Sequence, residues 1–312
     1  MEIKEKVIIG CIEYEYVPSI HAYKVSGAIN DENVECIEFE RRIDGIPVVF
    51  IDNKKDESPF IGLKSLKKII IPEGFEYLMN NIFSGCDKLE SVVFPSSLNS
   101  IGYKAFANCQ GLKSITLPGN LIDIDAHAFD NCINLKEVTI SRGTKRILLY
   151  AFKDCKGLTT VNLPEGLEII DEGAFFCCEN LQHINLPSSL KVIAEQAFEG
   201  CTLLHDVTFP EGLEEIGAWA FCDCESLEKV IFPRSLKKIG MGAFVLCFGI
   251  KELFIPDTLE EIGADAFNIL EDTVVYVESQ TMKDTWKLDW DINPTDATII
   301  WGYNKERSKK RF

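Results

Sequence analysis

The chain has 312 residues, 46% of them hydrophobic, and a formal net charge of −17 from 49 acidic against 32 basic residues. Such an acidic body repels nucleic-acid phosphates and anionic lipid, which argues against both as partners. No stretch approaches the roughly 18 apolar residues of a membrane span, and the N-terminal MEIKEKVIIGCIEYEY lacks the apolar run of a secretory signal; a cytoplasmic chain without membrane insertion is expected.

Residues 1–47 hold the alternating runs CIEYEYV and VECIEFE, which predict a β-rich N-terminal cap. IDGIPVVFI then leads into the repeat, with Val48 and Ile51 at strand positions, a polar loop DNKKDESP, and Phe60 and Leu66 in phase with the later repeats. Beyond this point three residue types recur every 23 positions. Phenylalanine runs from Phe83 to Phe267 in nine members, cysteine from Cys86 to Cys247 in eight, and proline from Pro72 to Pro256 with Ser141 filling one gap. A fixed period of this length means a repeat solenoid, each repeat one turn of a coil.

The consensus L-x-x-I-x-L-P-x-x-L-x-x-I-G-x-x-A-F-x-x-C-x-x divides into three arcs. L-x-x-I-x-L alternates and predicts a short strand. Its inward pairs run from Val92/Phe94 to Leu253/Ile255, with Leu163 and Leu186 among them. Proline ends that strand because it cannot donate to the ladder. L-x-x-I-G is a second bent arc in which glycine eases a turn, and A-F-x-x-C is a short 3₁₀ or turn segment. The predicted fold is thus a leucine-rich-repeat-like coil of ~23-residue turns with a parallel β-sheet face. About ten coils fill residues 48–277, rising roughly 4.8 Å each. VVYV at 274–277 continues the register; residues 278–303, with Trp286, Trp290 and Trp301, form a C-terminal cap; residues 304–312 form a basic tail.

The cysteine column reads as a buried ladder of reduced thiols in a narrow corner. Cys11, Cys36, Cys177 and Cys222 lie off it, and their spacing is not that of a zinc site, so neither a metal nor a cofactor is expected. The outward strand positions form two columns. One carries Thr160, His183 and Asp206 on successive coils, the order of a nucleophile triad, but an open sheet face offers no oxyanion hole. The other carries Thr116, Thr139, Asn162, Asn185 and Thr208 between apolar ends. These eight residues are the partner-binding candidates; the competing reading is that threonine simply suits a solvated strand. Phe176, Trp219, Met241, Val245, Leu246 and Phe248 are apolar where other repeats are polar, which predicts either packing against the C-terminal cap or an interface such as a homodimer.

The unit LKSITLPGNLIDIDAHAFDNC closely resembles the BspA-like leucine-rich repeats of the Treponema pallidum type, and ECIEFERRIDGIPVVFI resembles their lead-in. The resemblance covers roughly residues 33–302. It implies a bacterial cell-surface or secreted protein engaged in adhesion and protein–protein contact, and it carries over no catalytic residue. The chain departs from surface members in lacking a signal peptide and a wall-anchoring motif. A non-enzymatic protein-binding module is therefore the expected function; a hydrolase-type or metal-dependent enzyme and a structural spacer are the alternatives.

Overall fold

The computed structural model describes residues 3–28, 33–50, 58–267, 273–286 and 297–303. Ile51, most of DNKKDESP, Trp290 and the basic tail lie outside them. The chain is a β-solenoid of about 11 turns with almost no helix, and it falls into two compact units, residues 1–158 and 159–312.

In the first unit an antiparallel sheet forms from Lys6–Ile9, Ile12–Val17 and Ala22–Ala28. Gly10, at φ 59°, makes the tight turn between the first two. Ile46–Val49 adds in parallel beside Ala22–Ala28, with Arg42–Ile43 at the edge. Tyr14 is fully buried here, and its hydroxyl accepts the Glu40 N–H at 3.0 Å. Burial pushes its phenol up to about 12. The solenoid face already starts within the predicted cap segment: Cys36–Glu38 pairs in parallel with Lys68–Ile70, which pairs with Ser91–Val93. Ser114–Thr116 pairs likewise with Glu137–Thr139.

The L-x-x-I-G arc forms the longer ladder. In the first unit Tyr77–Leu78, Ser100–Ile101, Asp123–Ile124 and Arg146–Ile147 stack in parallel. In the second unit Ile169–Ile170, Val192–Ile193, Glu215–Ile216, Lys238–Ile239 and Glu261–Ile262 do the same. The glycine of this arc does not serve a turn, as the consensus suggests. Neither Gly102 nor Gly240 has a left-handed φ; a Cβ on Gly102 would lie 2.7 Å from the Leu78 carbonyl oxygen, and one on Gly240 2.3 Å from the Ala218 nitrogen. Glycine lets the neighbouring coil's backbone approach closely.

The A-F-x-x-C arc is made of turns; the 3₁₀ helix among the described residues is Pro18–Ile20 in the N-terminal sheet. Two residues per coil, flanking the phenylalanine at −2 and +2, take left-handed φ, as at Lys104 (54°) and Asn108 (62°). These reversals aim alternate N–H groups along the stack: those of Lys104, Phe106 and Asn108 donate to Ala126, Ala128 and Asp130 of the next coil. The backbone of an irregular arc is thereby satisfied without helix or strand.

Inside, the phenylalanines stack ring on ring. Phe83, Phe106, Phe129 and Phe152 succeed one another at 5.6, 5.4 and 5.3 Å between centroids, the last two pairs within 4° of parallel. Phe175, Phe198, Phe221, Phe244 and Phe267 repeat this in the second unit at 5.2–5.5 Å. The strand arc is less deeply packed than predicted, since Val92, Phe94, Leu163 and Leu186 are only half-buried. At the C-terminal end Thr273–Val277 pairs with Glu252–Ile255 as the expected next strand, in a register one residue short of the 23-residue period. Ala297–Trp301 then adds a further parallel strand inside the segment predicted as cap. Trp286 is buried and bridges to Ile262, whereas Trp301 on the added strand stays 37% exposed.

Candidate functional site

The cysteine column is a hydrogen-bonded structure, a point that packing arguments from sequence overlook. The Cys109 thiol donates to the Phe83 carbonyl at 3.2 Å, Cys132 to Phe106 at 3.2 Å and Cys155 to Phe129 at 3.2 Å. Cys201 and Cys224 donate to Phe175 and Phe198 at 3.4 and 3.3 Å. Each thiol thus adds a second donor to a carbonyl of the coil before, which already accepts the N–H three residues on, as Phe83 does from Cys86 at 3.2 Å. Burial raises the Cys86 thiol to about 11 and drives Cys109, Cys201, Cys224 and Cys247 well above the ordinary thiol range. These are structural thiols, not nucleophiles. Cys36 is exposed, and Cys11, Cys177 and Cys222 are half-buried.

The predicted binding residues stand on the strand face of both units. In the first, Thr116 is exposed and Thr139, its ladder partner, is half-buried. In the second, Thr160 and Asn162 flank the buried Val161. His183 lies directly beside Asp206, and Asn185 beside Thr208, all four exposed. The polar stretch gives way to an aromatic end: Lys229 pairs with Glu252 at 3.1 Å and sits over the Phe254 ring. Phe254 stacks on Tyr276 at 4.7 Å, and Tyr303 packs 4.8 Å from Tyr276. Tyr276 falls beside Phe254 because this last coil is one residue shorter than the 23-residue period; Tyr303 follows the added strand, which has no repeat signature.

His183 Nδ1 lies 3.3 Å from Asp206 Oδ2. The supposed triad nonetheless sits in open solvent, with the two side chains 56% and 75% exposed, so water is not excluded as that chemistry needs. What the column pattern misses is His205. It precedes the outward position by one residue, yet its Nε2 reaches to 3.7 Å from the same carboxylate oxygen. Its ring lies 4.2 Å from that of His183. Beside them is a cavity of about 920 Å³ lined by His205, Ser226, Glu228, Lys229, Lys251 and Glu252.

Of the apolar candidates, Met241, Leu246 and Phe248 are 38–42% exposed, and Phe176, Trp219 and Val245 are half-buried. The Trp219 indole lies against Gly242, where a Cβ would meet it at 2.6 Å. Trp219 and Leu246 hold left-handed φ of 51° and 62°, a conformation that bulky residues adopt at a cost. No helix among the described residues is long and apolar enough to cross a membrane.

The model of the BspA type leucine rich repeat region matches residues 56–181 and 145–274, in six copies. A leucine-rich repeat protein of T. pallidum, solved by crystallography, is similar in structure with a TM-score of 0.51 and 26% identity, covering 70% of this chain and 88% of its own. A leucine-rich cell surface protein of Faecalibacterium prausnitzii is 18% identical over 99% of this chain and 97% of its own, with a TM-score of 0.47. The pneumococcal vaccine antigen PcpA is also 18% identical, over 99% of this chain and 96% of its own, with a TM-score of 0.47. No curated protein sequence matches the chain. With the matched residues spanning well over half its length and the coil geometry agreeing, the chain belongs to the BspA-type leucine-rich repeat family.

Proposed function

We propose that this chain is a non-enzymatic protein-interaction and adhesion module, working through the outward columns of its strand face. The observation that carries the reading is the alternation itself. In Thr160–Asn162, His183–Asn185 and Asp206–Thr208 the central residue is buried and both neighbours are exposed, so each coil presents two polar side chains on a rigid, regularly spaced backbone. Repeat proteins engage partners through such extended faces, and a preordered face loses little side-chain and loop entropy on binding.

The test compares the full chain with an Asn162→Ala/Asn185→Ala/Thr208→Ala variant of unchanged circular dichroism, both immobilised and exposed to the same extracellular protein mixture. A partner held by the wild type should bind the variant about tenfold more weakly, or ~1.4 kcal/mol; equal retention by both removes the face from consideration. Adhesion also requires display at the cell surface, which the family resemblance supports. Protease treatment of intact cells should therefore digest the chain, and full protection would leave only an intracellular binding role.

A further inference from the structure

We propose that His183, His205 and Asp206 form a binding site for a divalent transition-metal ion of the zinc class, a site that shares His183 and Asp206 with the strand face above but does not require that face to bind a protein. The ligating atoms of the three lie within 4.8 Å of one another. Tetrahedral zinc with bonds of about 2.0–2.1 Å places its ligand atoms roughly 3.3 Å apart. The His183 Nδ1 to Asp206 Oδ2 distance of 3.3 Å already matches, and His205 Nε2 at 3.7 Å from the same oxygen is close. Closing the remainder takes small side-chain rotations, which these surface positions permit.

Two further observations make this more than a chance cluster. His205 Nδ1 lies 3.1 Å from the Leu203 carbonyl oxygen. A carbonyl only accepts, so Nδ1 carries a proton and donates it, and in the neutral ring the lone pair is then on Nε2, the nitrogen nearer Asp206. That is the arrangement by which metal-bound histidines are oriented: the second ring nitrogen donates to a backbone carbonyl or a carboxylate. In addition, the two coils are fixed in register, His183 beside Asp206 in the ladder and the His205 N–H donating to the Gln182 carbonyl at 3.1 Å. His183 and Asp206 therefore stand on paired strands, and His205 immediately precedes one of them with its backbone tied to the neighbouring coil.

Two imidazoles and one carboxylate select zinc, nickel or copper over magnesium or calcium, which prefer all-oxygen ligand sets. Three protein ligands leave at least one coordination position open. Here the adjoining 920 Å³ cavity gives that position room for water or for an incoming carboxylate or imidazole.

Zinc titrated into the full chain in competition with a chromophoric chelator is the direct measurement, with Co²⁺ absorption reporting coordination. One equivalent should bind, and His183→Gln and His205→Gln should each weaken it by at least about tenfold. Because the chain also carries exposed and half-buried thiols, a Cys11→Ser/Cys36→Ser/Cys177→Ser/Cys222→Ser variant serves as control and should retain the equivalent, with no thiolate-to-cobalt charge-transfer band in the wild type. Unchanged binding in the histidine variants, loss of binding in the cysteine variant, or no binding at micromolar zinc overturns the assignment.

Discussion

Phe129→Ala removes a ring from the middle of a stack. Phe129 is fully buried and lies between Phe106 at 5.4 Å and Phe152 at 5.3 Å, within 4° of parallel to both. Truncating a core phenylalanine to alanine costs about 3–5 kcal/mol, and each aromatic pair adds roughly 0.5–1.5 kcal/mol beyond burial. The neighbouring coils cannot close the gap, because the Phe129 N–H is held to the Ala151 carbonyl at 2.8 Å and the Cys155 thiol to the Phe129 carbonyl. The loss should therefore sit near the upper end, about 5 kcal/mol, comparable with the whole net stability of many domains. Urea unfolding monitored by far-ultraviolet circular dichroism measures it, and a Phe106→Leu/Phe129→Leu double-mutant cycle isolates the ring–ring part, expected at about 0.5–1.5 kcal/mol. A loss under about 2 kcal/mol, with zero coupling in the cycle, would refute the stacked-ring account of stability.

The thiol column carries two further outcomes. In the native protein a thiol-reactive disulfide reagent should label Cys36 first and Cys11, Cys177 and Cys222 more slowly, while the eight column thiols stay silent until denaturant exposes all twelve; labelling of more than four in the native state contradicts this. The second outcome concerns alkaline pH. Unfolded thiols ionise near the ordinary value of 9.0, whereas folded Cys86 keeps its proton to about 11 and Cys109, Cys201, Cys224 and Cys247 are raised as well. Above pH 9 the unfolded state binds fewer protons than the folded one, so stability is fully present below that pH and falls above it, by about 1.4 kcal/mol per pH unit for each thiol. Thermal melts from pH 8 to 11 should show the decline, and Cys109→Ala should make it shallower by one thiol's share; a midpoint independent of pH over that range refutes the linkage.

The coil is written in the spacing of its residues. Phenylalanine, cysteine and proline in fixed phase can only repeat if each turn meets its neighbours in the same way, so the ring stack, the thiol column and the two outward columns derive from the period of 23 residues alone. Periodicity is silent wherever the chain breaks it, and there only the assembled coils show the path. Cys36–Glu38 joins the solenoid face before the repeat becomes visible, and Ala297–Trp301 joins it afterwards, because a strand edge is completed by backbone hydrogen bonds that need no particular side chain. The role of the arc glycines came from the distance between coils, and the bond made by each thiol from the direction of a carbonyl; a position-by-position consensus contains neither. The candidate metal site shows the same limit. His205 is one residue out of column, just before the strand that begins at Asp206, and only the direction its side chain takes brings its Nε2 toward that carboxylate and its ring beside His183 of the coil before. A linear period records which residues stack, whereas the lateral offsets and side-chain directions that set chemistry arise only once the coils are laid upon each other.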